Sequence, residues 1–407
     1  MKCNHNILIS LLWGLGCQIF MMLPCVGQYY HPGDGENTEL LVFRNRFFED
    51  APLQEKIKVA KEIAFADVRL EENQLSILAK AESMEHLGLS GHHLRPDDLK
   101  PLLDLPPILK TLNISDAPRI SDESILGEVI AKQINLERLI LDHIPISDVT
   151  LEHVATLPKL KKLTLWQTPH VTGNGLYTLS KSQSLQESLE VLILYNGYEF
   201  CDFDDMSFLH RSKNETRDGD EEDEEELIRL FDFLGSFKNL RILSMGGNVW
   251  GIPWEDPYHF LHALTKLEKL LVPEAPNLTD DVLEKYISRM PDLQILDLGG
   301  TGITDQGVVH LFKLPKLKSL SIYDTEISDE GLKVLAEHPV LEYVSVNRFD
   351  KTKITREGVE YLSSKIEERF PWEDEGEFPH INFNGGVTSG IDDYEFGLDD
   401  LPTTHMF

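Results

Sequence analysis

Side chains able to do chemistry are present in this chain, but few sit at the spacing that chemistry needs. His92 and His93 have no H-E-x-x-H frame and no cysteine partners, so they do not read as a zinc site. The acidic run Asp218 to Glu226 (DGDEEDEEE) offers hard oxygen ligands but lacks the spacing of a calcium loop. Like charges at that density stay solvated. Gly299-Gly300-Thr301-Gly302 lacks the Lys-Ser/Thr of a phosphate loop, and Val387-Thr388-Ser389-Gly390 is not a G-x-S-x-G elbow. Cys201 has no cysteine or histidine neighbour in a nucleophile pattern. Asn113, Asn214 and Asn277 match the glycosylation acceptor at about chance frequency and carry little weight. The expectation is therefore a protein without catalytic residues, metal or cofactor, whose chemistry is binding. The residues suited to that are Ile140, Trp166, Val191, Ile193, Tyr195 and Ile242, joined by Trp250 and Trp254. Grouped aromatics anchor interfaces because they bury large areas at small entropic cost.

The elements that must position them repeat along the chain. Leu293 to Val346 reads LQILDLGGTGITDQGVVHLFKLPK, LKSLSIYDTEISDEGLKVLAEHPV and LEYVSV, a step of 24 residues. Each unit opens with L-x-x-L-x-L, and its last two apolar residues point to one face of a strand. Then comes I-[TS]-D-x-G, followed by apolar residues at helical spacing. The hydroxyl of Thr304 or Ser328 can cap that helix, and Asp305 or Asp329 suits its positive first turn. Starts at Met84, Leu109, Leu136, Leu160, Leu189, Leu240, Leu267, Leu293, Leu317 and Leu341 make ten units. A unit cannot bury its own leucines, but stacked units can. The outward strand positions then line one wall, and the residues nominated above from Ile140 to Ile242 fall on it. Folding of the acidic insertion or of the Trp250–Tyr258 loop over those residues would bury them instead.

The remaining segments frame this array. Residues 1–27 start with Lys2, continue as a mostly apolar run from Ile7 to Val26, and end in small residues before Gln28. They read as a cleaved secretory signal, with an uncleaved membrane anchor as the alternative. Residues 28–82 read as linker and N-terminal cap, with helical apolar spacing over Leu53 to Phe65. Residues 83–366 hold the repeats, interrupted by an acidic insertion at about 198–226. Residues 367–407 read as C-terminal cap and acidic disordered tail. Cleavage would leave Cys201 as the only cysteine, which fits a bacterial envelope better than a disulfide-capped animal ectodomain. A net charge of −31 argues against nucleic acid and against docking on an anionic membrane.

The span from about Met84 to Ser364 resembles the leucine-rich-repeat superfamily. Its T-x-I-[TS]-D-x-G-[LV] pattern (Thr301 to Val308, Thr325 to Leu332) is similar to repeats of F-box-type and of many bacterial secreted members. It departs from the commoner form in placing Thr168, Thr301 and Thr325 where an asparagine ladder runs. The resemblance implies an α/β solenoid, a horseshoe with a parallel concave sheet and a helical convex side, used for binding. The expected function is an exported non-catalytic scaffold for a protein, peptide or envelope ligand, located in the cell envelope or secreted. Two alternatives stand beside it: an intracellular F-box-like substrate adaptor of a ubiquitin ligase, and an acidic enzyme inhibitor.

Overall fold

Every repeat start lays down a short strand, and each strand pairs in parallel with those before and after it in the chain. The computed structural model describes residues 40–44, 51–66, 74–195, 233–246, 258–346, 353–371 and 381–382. The expected leader, the acidic insertion, Trp250, Trp254, Cys201 and the tail from Val387 lie outside them. The described strands form a 13-stranded sheet in sequential order. They are β1 (Leu40–Arg44), β2 (Glu62–Ala66), β3 (His86–Ser90), β4 (Thr111–Ser115), β5 (Arg138–Asp142), β6 (Lys162–Trp166) and β7 (Val191–Tyr195). Then follow β8 (Ile242–Gly246), β9 (Lys269–Leu271), β10 (Ile295–Asp297), β11 (Ser319–Ser321), β12 (Tyr343–Ser345) and β13 (Ile381–Asn382). The result is an open α/β solenoid, as the repeat predicts.

The register explains the core. Leu270, Leu296, Leu320 and Val344 pair in one row, and all are buried. The return segments close the other side. They include α1 (Ala51–Val59), α2 (Ser124–Lys132), α3 (Asp148–Val154), α4 (Gly173–Lys181) and α5 (Gln183–Ser188). The second half has α6 (Asp280–Lys285), α7 (Asp329–Leu335) and α8 (Arg356–Arg369), with tighter 3-10 turns such as Val308–Lys313 in the other units. The fully buried leucines of strand and return make one continuous apolar core. Truncating any of them to alanine costs about 2–5 kcal/mol.

Two repeat units lie upstream of the first one legible in the sequence. The apolar spacing over Leu53 to Phe65 suggests one helix, but the helix stops at Val59 and Glu62–Ala66 is a strand. Ala60, Ile63 and Phe65, all buried, take the three places of L-x-x-L-x-L, with alanine standing for the first leucine. The i, i+2 burial of Ile63 and Phe65 against the next unit outweighs the local helical spacing. Phe65 stacks on Phe43 of β1 at 4.9 Å between ring centroids.

The I-[TS]-D-x-G motif acts between repeats as well as within them. Ser147, Thr172, Ser328 and Thr355 cap α3, α4, α7 and α8 by accepting a backbone N–H in the first turn. Each cap residue also donates to a carboxylate of the preceding unit. Thr304 gives its N–H and hydroxyl to Asp280 at 2.9 and 2.6 Å, Ser328 to Asp305 at 2.8 and 2.6 Å, and Thr355 to Asp329 at 2.7 and 2.6 Å. Thr172 does the same with Asp148 at 2.7 and 2.5 Å. The glycine of the motif leaves room for that carboxylate: a Cβ on Gly331 would stand 2.4 Å from Asp305 Oδ1, and one on Gly307 would stand 2.1 Å from Asp280 Oδ1. Of the threonines at the asparagine-ladder position Thr168 and Thr301 are buried and Thr325 is part-buried, and Thr301 and Thr325 donate to the Leu298 and Ile322 carbonyls at 2.6 and 2.8 Å.

Candidate functional site

The outward strand positions fall into three columns on the inner wall. The first runs His86, Thr111, Arg138, Lys162, Val191 and Ile242, then on through Lys269 to Tyr343. The middle column places Ile140 beside Thr164, then Ile193, Ser244, Leu271, Asp297, Ser321 and Ser345. The third carries Asp142, Trp166, Tyr195 and Gly246. Side chains on adjacent strands sit about 4.8 Å apart, so those of one column touch their neighbours directly.

This register brings most of the nominated residues together. Val191, Ile193 and Ile242 form a hydrophobic cluster of their own, separate from the main core, and Trp166 packs against it. Trp166 and Tyr195 stack at 4.2 Å with 22° between their rings. Ile140 is also buried but lies beyond Thr164 and outside that cluster. The sequence places all six on the outward face, open or covered by the insertion or the following loop; Ile193 is 0% exposed and Val191 and Ile242 are nearly so. Val191, Ile193 and Ile242 pack on one another across β7 and β8, with Trp166 against them, and form a floor. Trp166 and Tyr195 keep part of their surface open. Trp250 and Trp254 lie outside the described residues.

The structure adds groups that the sequence reading did not nominate. After the third column the backbone turns through a left-handed residue: Asp116, His143, Gln167, Glu274 and Asp324 have φ between 48° and 60°, and Gly300 has 69°. Short polar residues and glycine tolerate that conformation best. Its N–H donates to the next strand's end, His143 to the Trp166 carbonyl at 2.9 Å and Glu274 to the Gly299 carbonyl at 2.6 Å. At Asp116, His143, Glu274 and Asp324 the turn thus holds an ionisable side chain at the rim of the wall. His143 Nδ1 lies 2.5 Å from Asp142 Oδ1, and that hydrogen bond raises the imidazole's pKa against the opposing effect of burial. Spotting this position from sequence would have required counting one residue past the strand.

In the second half, Asp297 is buried at 5% exposure and accepts the Gly299 N–H at 2.9 Å. Burial pushes its carboxyl up to about 6, the Gly299 N–H and Ser321 pull it back, and the Glu274 charge raises it further. The Tyr323 ring lies across Gly299, where a Cβ would stand 2.0 Å from a ring carbon. Burial raises the Tyr323 hydroxyl, with Asp297 and Glu274 adding to the shift, and burial likewise raises Tyr195. Asp297, Glu274, Tyr323 and Tyr195 are therefore within electrostatic reach of one another. Among the described residues no group of three or more His, Cys, Asp or Glu is placed to hold a metal ion, and no helix is long and apolar enough to cross a membrane.

Comparison with known proteins agrees with this architecture. A family model described as Leucine Rich repeat matches residues 289–312 and 313–336. No curated protein matches the chain in sequence. Among solved structures, that of the Rad7 and Elc1 complex in yeast matches with a TM-score of 0.55 at 19% identity, covering 80% of this chain and 81% of that one. An internalin (inlF) from Listeria monocytogenes matches with a TM-score of 0.40 at 17% identity, covering 76% and 86%. The repeat register, the buried leucines and the two matched units give the chain the fold of a leucine-rich-repeat solenoid, with residues 289–336 matching that family's repeat.

Proposed function

We propose that the protein is a non-catalytic scaffold that works outside the cytoplasm and grips a protein or peptide on its concave wall. The observation that carries this reading is the Trp166–Tyr195 stack, part-open above the buried floor of Val191, Ile193 and Ile242. A rigid aromatic pair on an apolar floor is pre-organised for a partner, because its rotamers are already held. The apolar run at residues 1–27 supports export. The test is capture of a partner from the compartment that holds the native protein. The double variant Trp166→Ala/Tyr195→Ala is expected to lose at least about 2 kcal/mol of affinity. Tyr361→Ala on α8, on the opposite side, is expected to lose none. Equal capture by both variants would remove the concave wall from consideration.

The second reading is an adaptor that joins another protein inside the cell. The fold shared with Rad7, solved in complex with Elc1, supports it. The mature N terminus separates the two readings. Mass spectrometry finding a chain that starts near Gln28 excludes the adaptor, and a retained Met1 excludes export by cleavage.

A further inference from the structure

The concave wall carries a second feature, four strands on from the Trp166–Tyr195 pair. The third column there runs Tyr195, Gly246, Pro273, Gly299 and Tyr323, so two aromatic residues flank three positions with little or no side chain. Beneath Tyr323 the middle column runs Asp297, Ser321 and Ser345 on adjacent strands. The Ser321 and Ser345 hydroxyls are buried at 0% and 4% exposure and complete no hydrogen bond among the described residues. Ser321 leans toward the Asp297 carboxylate without reaching hydrogen-bond geometry. Asp297 itself is bonded, among the described residues, only by the Gly299 N–H. Glu274 and Tyr323, both part-exposed, form the mouth.

Buried polar atoms left unpaired cost free energy, and a row of them facing a binding wall calls for a donor from outside. The acceptors here are a carboxylate and two hydroxyls, with a second carboxylate at the lip and an aromatic face alongside. We propose that this part of the wall is a subsite for an arginine side chain of a basic peptide segment. The Tyr323 ring, which lies across Gly299 and covers Asp297 and Ser321, would turn aside to admit the guanidinium. The guanidinium would then stack on it while its N–H groups reach Asp297 and the Ser321 hydroxyl, with Glu274 at the entrance. A planar cation with several fixed donors matches that set better than the compact ammonium of lysine. The chain's net charge of −31 draws a basic segment toward the wall from a distance. The inference rests on the concave wall being the binding face, and it names the chemistry of the partner there.

The experiment uses the full chain and fluorescein-labelled tetra-arginine, with tetra-lysine and tetra-glutamine peptides as comparisons, read by fluorescence anisotropy at physiological salt. Asp297→Asn is expected to weaken tetra-arginine binding about tenfold, as loss of one charge-assisted contact does. Tyr323→Ala is expected to weaken it about threefold to tenfold, and Tyr323→Phe to leave it unchanged, because the ring face acts rather than the hydroxyl. Glu128→Gln/Glu357→Gln removes more charge from the helical side and should change nothing. Equal weakening by the Asp297 and Glu128/Glu357 variants, or equal affinity for arginine and glutamine peptides, would overturn the subsite. Circular dichroism monitors folding, and Glu274→Gln serves as the second variant should Asp297→Asn misfold. If tetra-arginine fails to bind while the Trp166/Tyr195 variant still loses its partner, the scaffold reading stands and only the arginine subsite falls. If the Trp166/Tyr195 variant keeps its partner as well, both fall.

Discussion

The two halves of the inner wall solve the same problem in different ways. Each buries a carboxylate on the concave side, Asp142 in β5 and Asp297 in β10. In the first half the next residue, His143, turns back through its left-handed backbone and sits 2.5 Å from the carboxylate. In the second half that place in the turn belongs to Gly300, and the charge that acts on Asp297 is Glu274, of the same sign. One buried acid is matched by its own chain and the other is opposed by it. A charge buried without a partner costs stability, and such groups concentrate where a ligand completes the set. The first half therefore reads as a closed structural arrangement, and the second as one waiting for a cation.

The comparison can be tested first through the glycines that pack the two halves. Gly331→Ala pushes a methyl against Asp305 and breaks the two bonds that carboxylate accepts from Ser328. The expected loss is about 4 kcal/mol, seen as a lower urea midpoint. Gly127→Ala in the first half meets the His153 ring, which can swing aside on its flexible side chain, and should cost under about 1 kcal/mol. Equal losses would show that the carboxylate ladder is no stiffer than an ordinary contact.

The carboxylates themselves come next. Burial pushes the Asp297 carboxyl up to about 6 in the fold, above the ordinary carboxylate range. A raised value means that the folded state holds the proton more tightly. The stabilisation is full below the unfolded value and is lost as pH rises through 6. Asp297→Asn is thus expected to be more stable than the parent at pH 7.5, by up to about 3 kcal/mol, with the gain gone by pH 4. Thermal melts at the two pH values measure it. Asp142→Asn removes the partner of His143 and should bring no such gain; a gain at both sites would erase the contrast.

A smaller effect reads the first half directly. Asp142 holds His143 above its ordinary range, so His143 contributes stability that is present below pH 6.5 and fades as pH rises through its folded value. In Asp142→Asn the imidazole titration followed by NMR should move down. An unmoved titration would mean that Asp116 and Gln167, not Asp142, set it. The smallest effect belongs to the exposed ion pairs in both halves, such as Lys161 with Glu137 at 2.7 Å and Lys316 with Asp292 at 2.6 Å. Neutralising either acid should leave the urea midpoint unchanged within error, since solvent screens such pairs.

Much of the fold was legible because its signal is local and repeated. L-x-x-L-x-L tells which residues enter the core at every unit from Met84 to Leu341, and the cap at Ser328 follows from a hydroxyl placed before helical spacing. The upstream units escaped because Thr38 and Ala60 stand where a leucine would announce the repeat. The wall was legible as a set of columns but not as a surface. Ile193 and Trp166 carry the same outward signature, yet one is fully buried and the other is part-open. Glu274 and His143 were missed because their role comes from a backbone turn just beyond the strand.

Spacing alone determined that this chain stacks into a solenoid with a parallel inner sheet, since period-two and helical leucines have one common way to leave water. Only the tertiary structure decided why the motif needs its Asp and its Gly: the carboxylate of one unit fills the space beside the glycine of the next, a contact across some two dozen residues. The same holds for the buried acids. Whether a carboxylate meets a histidine or another carboxylate depends on which turn lies beside it on the neighbouring strand, and that is a fact of register and curvature rather than of composition.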